Sequence, residues 1–301
     1  GLGVVTIMSG LMILLHKKMG INDRLLLQDA FNLNSLSGLV RFVKKVVIGT
    51  LVIEGIGALL YMTVFTPDFG SKGIWISIFT SISAFCNAGI DIIAENSLCD
   101  YALNPMVNTV TCLLIVIGGI GYIVWWDIIR VIKNIRQNKR KIFGNLTLHS
   151  KIAIISTLLL IIVGAILVFV LEYDNPQTLK DYTLLQKIEV SFFQSVTTRT
   201  AGFATLPQEN LTNATAVVCL FLMFIGGSPV GTAGGIKTVT FAVIIASAWA
   251  SICNKKDTEL FGRRLAKQAV GKAVAVTCMS FAIMFVSTVL LSATMDADLL
   301  D

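Results

Sequence analysis

Two short segments have the residue types of an ion site built from the protein backbone. They are Asn87-Ala88-Gly89-Ile90 and Thr200-Ala201-Gly202-Phe203, and each follows a short apolar stretch. Glycine reaches conformations that turn carbonyls towards a common axis, and it leaves that axis open because it has no side chain. Rings of such carbonyls replace the hydration shell of K+ in selective filters. We expect the carbonyls of the first three residues of each segment to bind a dehydrated cation.

A third segment, GGSPVGTAGGIKT, interrupts an apolar run of membrane-spanning length. Glycine and proline remove helix propensity, and non-helical backbone at membrane depth persists only where protein buries it or a watery path satisfies it. We predict a movable intramembrane gating loop over residues 226–235, with a static packing kink as the alternative. Its functional residues are Gly226, Gly227, Ser228, Pro229, Gly231, Thr232, Ala233, Gly234 and Gly235. We expect the hydroxyls of Ser228 and Thr232 to bond partners across the pore cavity.

Two charged residues fall inside apolar surroundings near these segments. Arg199 directly precedes Thr200, and a lone cation at membrane depth is costly and usually functional. It either sets the electrostatics of the pore or supports the filter by donating to backbone carbonyls. The second role is favoured, since a positive charge facing the axis would repel K+. Glu54 interrupts a long apolar helix, and we expect it to meet a polar group of a neighbouring helix.

The elements that position these segments belong to a membrane protein. The 301 residues are 55% hydrophobic and 14% charged, with a mean hydropathy of +0.79, whereas soluble domains carry roughly 25% charged residues. Four apolar runs approach the ~20 residues that a helix needs to cross a bilayer. They are Val46 to Phe65, Met106 to Trp126, Ile152 to Leu171 and Ala273 to Leu291. The composition predicts an all-α, multi-pass protein of the cell membrane.

Positive charges are concentrated in three connections. Nineteen of the 24 Lys and Arg residues lie between Lys17 and Lys45, between Arg130 and Lys151, or between Lys255 and Lys272. The positive-inside rule places these connections in the cytoplasm. Each patch adjoins a predicted span and lacks interleaved aromatic residues, so topology and lipid head groups explain the net charge of +6 better than nucleic acid does.

An internal repeat with a period a little over 100 residues organises the chain. Each copy has a basic segment, a long helix, an acidic loop, a short apolar stretch and a second long helix. The short stretches, Gly73 to Phe85 and Leu184 to Thr198, must dip into the membrane and return, because a crossing would place the next basic patch outside. The second helix is predicted to be interrupted in one copy only, at residues 226–235, and to continue through Ile120 to Trp126 in the other.

Three motifs carry a family resemblance: Ser81 to Ile90, Thr197 to Phe203, and Gly226 to Thr238. They resemble the Trk/Ktr/HKT superfamily of cation transporters, above all the bacterial Ktr and Trk potassium-uptake subunits. The resemblance implies repeated helix-pore loop-helix units as in potassium channels, with four units around one pore. The chain would then be a fragment of a pseudo-tetramer. Cys86 departs from the family pattern, since many relatives have a polar residue there.

The resemblance also assigns the parts of the chain. Residues 1–38 would end the first unit, 39–140 and 141–262 would form the second and third, and 263–301 would start the fourth. Gly89 and Gly202 become the filter glycines of the second and third units, and residues 226–235 become the gate. The resemblance further implies a homodimer, cytosolic nucleotide-binding regulatory subunits and no cofactor. K+ is the implied transported ion, with Na+ as an activator or coupled ion.

Three other interpretations fit the sequence less well. A Na+-coupled symporter with alternating access is the main alternative, but its usual inverted repeats differ from copies that all begin on the basic side. An intramembrane enzyme lacks a nucleophile, base or metal-ligand set. A phosphate-binding loop fails by one residue, because Ile236 separates Gly235 from Lys237.

Overall fold

The structure, a computed structural model, describes residues 39–94, 96–134, 142–255 and 257–294. The predicted tail of the first unit, residues 1–38, lies outside the described residues. The described chain is predominantly helical, as predicted, with one small hairpin of β1 (Glu259–Leu260) and β2 (Arg263–Arg264). The helices are α1 (Leu39–Phe69), α2 (Ser71–Phe85), α3 (Pro105–Gly119), α4 (Tyr122–Lys133), α5 (Ile142–Asn145), α6 (Leu148–Glu172), α7 (Leu184–Thr197), α8 (Asn213–Phe224), α9 (Thr238–Ile252) and α10 (Lys267–Thr294).

Three of these helices are long and apolar enough to cross a membrane. They are α1, α6 and α10, and the bent pair of α3 and α4 makes a fourth span if it is counted as one. Three of the predicted spans fall within α1, α6 and α10, which confirms them. The chain is therefore built to lie in a bilayer, by the length and composition of its helices.

Two short helices follow α1 and α6 where the sequence predicted short apolar stretches; that they dip into the membrane and return stays a prediction. Helix α2 has 15 residues and α7 has 14, which at 1.5 Å per residue gives about 21–23 Å, less than the ~30 Å hydrocarbon core. The acidic loop predicted before α2 is shorter than expected, because α1 continues through Pro67 to Phe69. Only Gly70, at φ 60°, separates the two helices. Proline is tolerated because it lies in the last turn of α1.

Each short helix is attached to its long helix by the same contact. Ser81 Oγ of α2 donates to the carbonyl of Glu54 in α1 at 2.7 Å. Ser195 Oγ of α7 donates to the carbonyl of Ile161 in α6 at 2.8 Å. In both pairs a glycine three residues after the acceptor gives the serine hydroxyl room to approach. The two copies thus share a specific packing contact as well as an order of elements.

We expect this contact to make Gly57 in α1 intolerant of even one added methyl group. A Cβ on Gly57 would collide with Ser81 Oγ and lie 2.8 Å from Leu114 Cδ1, whereas a Cβ on Gly55 would meet nothing within 4 Å. Overpacking of this kind costs about 1–3 kcal/mol. In the full-length protein, Gly57→Ala should lower the midpoint of thermal unfolding in detergent relative to the matched Gly55→Ala. Equal midpoints for the two variants would contradict the assigned packing of α2 on α1.

The prediction that α3 and α4 form one continuous helix is wrong. Helix α3 ends at Gly119, α4 begins at Tyr122, and their axes are bent by 94°. Gly121 at the break has φ 93°, a conformation that glycine adopts without strain. A side chain there would collide with the carbonyl of Pro229 in the predicted gating loop. The second helix is therefore interrupted in both copies, and the two interruptions pack on each other.

Candidate ion-conducting site

The two predicted filter segments have the same alternating backbone pattern. Each begins just after a short helix, α2 or α7. The backbone is left-handed at Asn87 (φ 49°) and again at Gly89 (φ 64°), and likewise at Thr200 (φ 65°) and Gly202 (φ 97°). The intervening alanines do not share this conformation. The two segments are therefore similar in backbone geometry as well as in sequence.

The six carbonyls expected to bind K+ accept no hydrogen bond from any residue that the structure describes. The next carbonyl, that of Phe203, differs because it accepts a hydrogen bond from Thr197 Oγ1 at 2.6 Å. Backbone carbonyls away from water require a partner. None of the six oxygens is therefore taken by a protein donor, although that of Ala201 faces Gly89, where it is the nearest atom to an added Cβ.

The filter segments of the two copies touch at their glycines. A Cβ on Gly89 would lie 2.6 Å from the Cα of Gly202, and a Cβ on Gly202 would lie 3.3 Å from the Cα of Gly89. This contact leaves no room for an ion between the two glycines. Ala88 and Gly202 are instead exposed on an open cavity of about 390 Å³ beside the third-unit segment. An ion path shared by the two segments would have to lie on that exposed side.

The side chains that end the two segments have different environments. Phe203 is 1% exposed and packs in the main hydrophobic core, whereas Ile90 is 61% exposed. The two segments are therefore alike in backbone but not in how their last residues are anchored.

The predicted gating loop is non-helical and packs against the break between α3 and α4. Ser228 N donates to the carbonyl of Gly119 at 2.8 Å, and Thr232 N donates to that of Gly118 at 3.0 Å. In return, Tyr122 N donates to the carbonyl of Val230 at 3.0 Å. The N–H and C=O groups that lose their helical partners at the two breaks thus hydrogen-bond to each other. Irregular backbone persists inside a membrane protein when it is paired in this way.

The loop also hydrogen-bonds to both predicted filter segments. Thr232 Oγ1 lies 2.7 Å from Asn87 Oδ1 and 2.8 Å from the carbonyl oxygen of Phe85. Gly234 N donates to Thr200 Oγ1 at 2.8 Å. Thr232 therefore contacts groups outside the loop, and a pore cavity between them stays a prediction. Ser228 does not, since its hydroxyl lies 2.8 Å from that of Thr238 at the start of α9, where the loop folds back on itself.

Arg199 donates to a backbone carbonyl, but not to one behind the filter. Its side chain is 5% exposed, and Nη2 donates to the carbonyl of Gly226 at 3.0 Å. That carbonyl belongs to the gating loop, so the arginine connects the third filter segment to the loop. Glu54 is 8% exposed, and Cys86 Sγ donates to its Oε1 at 3.8 Å, a polar contact from a neighbouring helix as the sequence suggested.

Sequence reasoning missed the polar contacts among the loops that connect the helices. Leu98 N donates to the carbonyl of Ala204 at 2.9 Å, which ties the loop after α2 to the end of the third-unit segment. Glu172 is fully buried and accepts from Thr212 N at 2.9 Å at the start of α8. The hydroxyl of Tyr101 donates to Asp68 Oδ2 at 2.7 Å, and burial together with this carboxylate raises the pKa of that hydroxyl. These pairs are far apart in sequence, so no local signal identifies them.

Comparison with known proteins decides the family. The family model described as a cation transport protein, TrkH, matches residues 1–298. The chain belongs to the TrkH family of cation transport proteins. This TrkH-family chain is 38% identical to the Ktr system potassium uptake protein B of Bacillus subtilis, over 100% of its own length and 65% of that protein. It is 36% identical to the potassium/sodium uptake protein NtpJ of Enterococcus hirae, over 98% of its length and 63% of that protein.

A solved structure supports the fold of this TrkH-family chain. The potassium transporter TrkH from Vibrio parahaemolyticus superposes with a TM-score of 0.68 at 17% identity, over 91% of this chain and 56% of that one. The family is one of transporters and not of enzymes, and with its apolar helices the chain is a membrane-embedded member of it. It spans 65% and 63% of the two curated relatives.

Proposed function

We propose that this chain supplies two of four filter segments, and the gate, of a K+-uptake pore. The observation that carries the proposal is the set of six unbonded carbonyls, three in each of two segments with the same alternating φ pattern. Carbonyls arranged in this way substitute for the hydration shell of a dehydrated cation. The names of the relatives, a potassium and a potassium/sodium uptake protein, supply the ion class.

The contact between Gly89 and Gly202 sets a condition on this pore. Two touching segments cannot surround an ion by themselves, so the axis must lie on their exposed side, where the cavity of about 390 Å³ opens. The first and fourth units complete the ring from that side. The gating loop then lies below the filter, next to Asn87 and Thr200.

The proposal extends to topology and partners. The basic connections face the cytoplasm, where nucleotide-binding regulatory subunits bind, and two copies of the full-length protein form a homodimer in the plasma membrane. Cross-linking of the purified full-length protein in lipid vesicles tests the dimer. A monomer under all conditions would contradict it.

Uptake measurements on the full-length protein test the function. In bacterial cells lacking their own K+ uptake, we expect expression to restore growth at low K+ and to give saturable Rb+ uptake that K+ inhibits more strongly than Na+. Parallel uptake of labelled Na+ separates the two candidate mechanisms. Na+ that only activates Rb+ flux supports a gated pore, whereas Na+ entering in fixed ratio with Rb+ supports the symporter. No Rb+ uptake at all would reject both.

A further inference from the structure

The residues that open the two filter segments also hold the gating loop. Asn87 and Thr200 occupy the same place in the repeat, directly after the short helices and two residues before the filter glycine. Both direct their side chains to the loop and not to the ion path: Asn87 contacts Thr232 at 2.7 Å, and Thr200 accepts from Gly234 N at 2.8 Å. The loop therefore bonds one side chain from each filter segment.

Both of these residues have a left-handed backbone, with φ values of 49° at Asn87 and 65° at Thr200. Asparagine adopts this conformation more readily than most residues, whereas a β-branched residue such as threonine is a genuine outlier there. Strain of this kind persists only where surrounding contacts determine it. Backbone bonds at the helix ends, such as Ala88 N to Ser83 O at 2.9 Å and Ala201 N to Thr197 O at 2.9 Å, hold both segments, and the side-chain bonds to the loop add to them.

The hydrogen-bond chemistry at Thr232 is consistent with a firm attachment. Its hydroxyl has one hydrogen and lies within bonding distance of both Phe85 O and Asn87 Oδ1. Both bonds form together when the hydroxyl donates to the Phe85 carbonyl and the Asn87 amide is turned so that its nitrogen donates to Thr232. The heavy-atom positions allow this amide orientation equally well.

The space between loop and filter is nearly filled. The gap that Asn87, Arg199, Gly227 and Ala233 share has a volume of about 10 Å³, which is room for one water at most. Arg199 adds a third attachment through the carbonyl of Gly226 at 3.0 Å. The loop thus cannot withdraw without breaking bonds to residues that begin the filter.

We infer that Asn87 and Thr200 are positioning residues that couple the gate to the filter, so that withdrawal of the loop also changes K+ selectivity. This inference rests on the proposed pore function. With the loop in place, its bonds add to those at the helix ends and hold the first peptide groups of both segments in one orientation. With the loop withdrawn, Asn87 and Thr200 lose the loop's bonds, and the strained Thr200 relaxes towards an ordinary φ value, which rotates the peptide groups that enter the filter. A gate that moved independently would leave selectivity unchanged.

Paired substitutions in the full-length protein test the coupling. Thr232→Val removes the hydroxyl on the loop side, and Thr200→Val removes the acceptor on the filter side. Loss of one neutral hydrogen bond corresponds to a change of about three- to tenfold. We expect each valine variant to raise Rb+ uptake without regulatory subunits by about that factor and to weaken the preference for K+ over Na+ by a similar factor. Thr232→Ser and Thr200→Ser, which keep the hydroxyl, should restore the preference relative to valine.

Thr205→Val is the matched control. Thr205 is 1% exposed, lies near the same filter segment, and its hydroxyl has no hydrogen-bond partner among the described residues. It should leave flux and ion preference as in the parent, with uptake normalised to the protein found in the membrane.

The outcomes separate the coupling from the pore itself. Raised flux with an unchanged ion preference in both valine variants would overturn the coupling while leaving the gate intact. Unchanged flux in both would overturn it as well. If Thr200→Val fails to fold, Thr232→Val still decides, because it alters only the loop. Absence of Rb+ uptake in the parent protein would instead reject the proposed pore.

Discussion

Gly202→Ser in the full-length protein is expected to lower the apparent affinity for Rb+ by about tenfold or more and to reduce the K+ over Na+ preference by a similar factor. Gly202 has φ 97°, and a Cβ there would lie 3.3 Å from the Cα of Gly89 in the neighbouring segment. A non-glycine residue in a left-handed conformation costs about 1–2 kcal/mol, and 1.4 kcal/mol is a factor of ten. The chain relieves that strain by rotating the peptide groups whose carbonyls face the ion. Rb+ uptake at graded Na+ concentrations measures both quantities.

A control at a positive-φ glycine outside the predicted filter tests whether backbone strain alone produces the effect. Gly70 has φ 60°, and a Cβ there would meet nothing within 4 Å. Gly70→Ser therefore introduces a left-handed serine between α1 and α2 without touching a filter segment, and we expect it to leave ion preference intact. If Gly202→Ser leaves both apparent affinity and preference as they were, the filter assignment is wrong.

The order of long and short helices in the repeat could be predicted from sequence, because it depends on the length and composition of each segment by itself. Apolar length marked α1, α6 and α10, and stretches too short to cross marked α2 and α7. The filter glycines were found because they recur in the same context, and the structure gives Gly89 and Gly202 left-handed φ values. That they bind K+ stays a prediction, as do the unit boundaries.

The failures concern contacts between distant segments. The apolar and aromatic residues from Tyr122 onwards favour a continuous helix, and only the loop about a hundred residues later shows why the chain turns at Gly121. Arg199 was expected to support the filter by donating to backbone carbonyls, but its acceptor, the Gly226 carbonyl, lies in the predicted gating loop. The side chains of Asn87 and Thr200 contact the loop, which no sequence pattern indicated. Spacing along the chain carries no information about such pairs.

Deleting Ser228 to Ala233 from the full-length protein is expected to raise Rb+ uptake by on the order of tenfold or more and to weaken its control by regulatory subunits. The deletion removes the segment that bonds Asn87, Gly118 and Gly119. A minor open state is typically populated at about 0.1–10%. If the path is open for so small a fraction of the time, removing the loop that closes it can raise Rb+ uptake by about tenfold or more. Unchanged flux would favour a static packing kink over a gate.

The structure makes this deletion feasible without distorting the helices on either side. Gly227 N donates to the carbonyl of Gly234 at 3.2 Å, so the residues to be joined already lie side by side. Replacing the same six residues with an equally long Gly/Ser linker is the matched variant, because it restores bulk but not the hydroxyl of Thr232. If bulk alone closes the path, the linker variant keeps the parent flux. If specific bonds close it, the linker variant leaks like the deletion, since a flexible chain without those bonds does not stay beneath the filter.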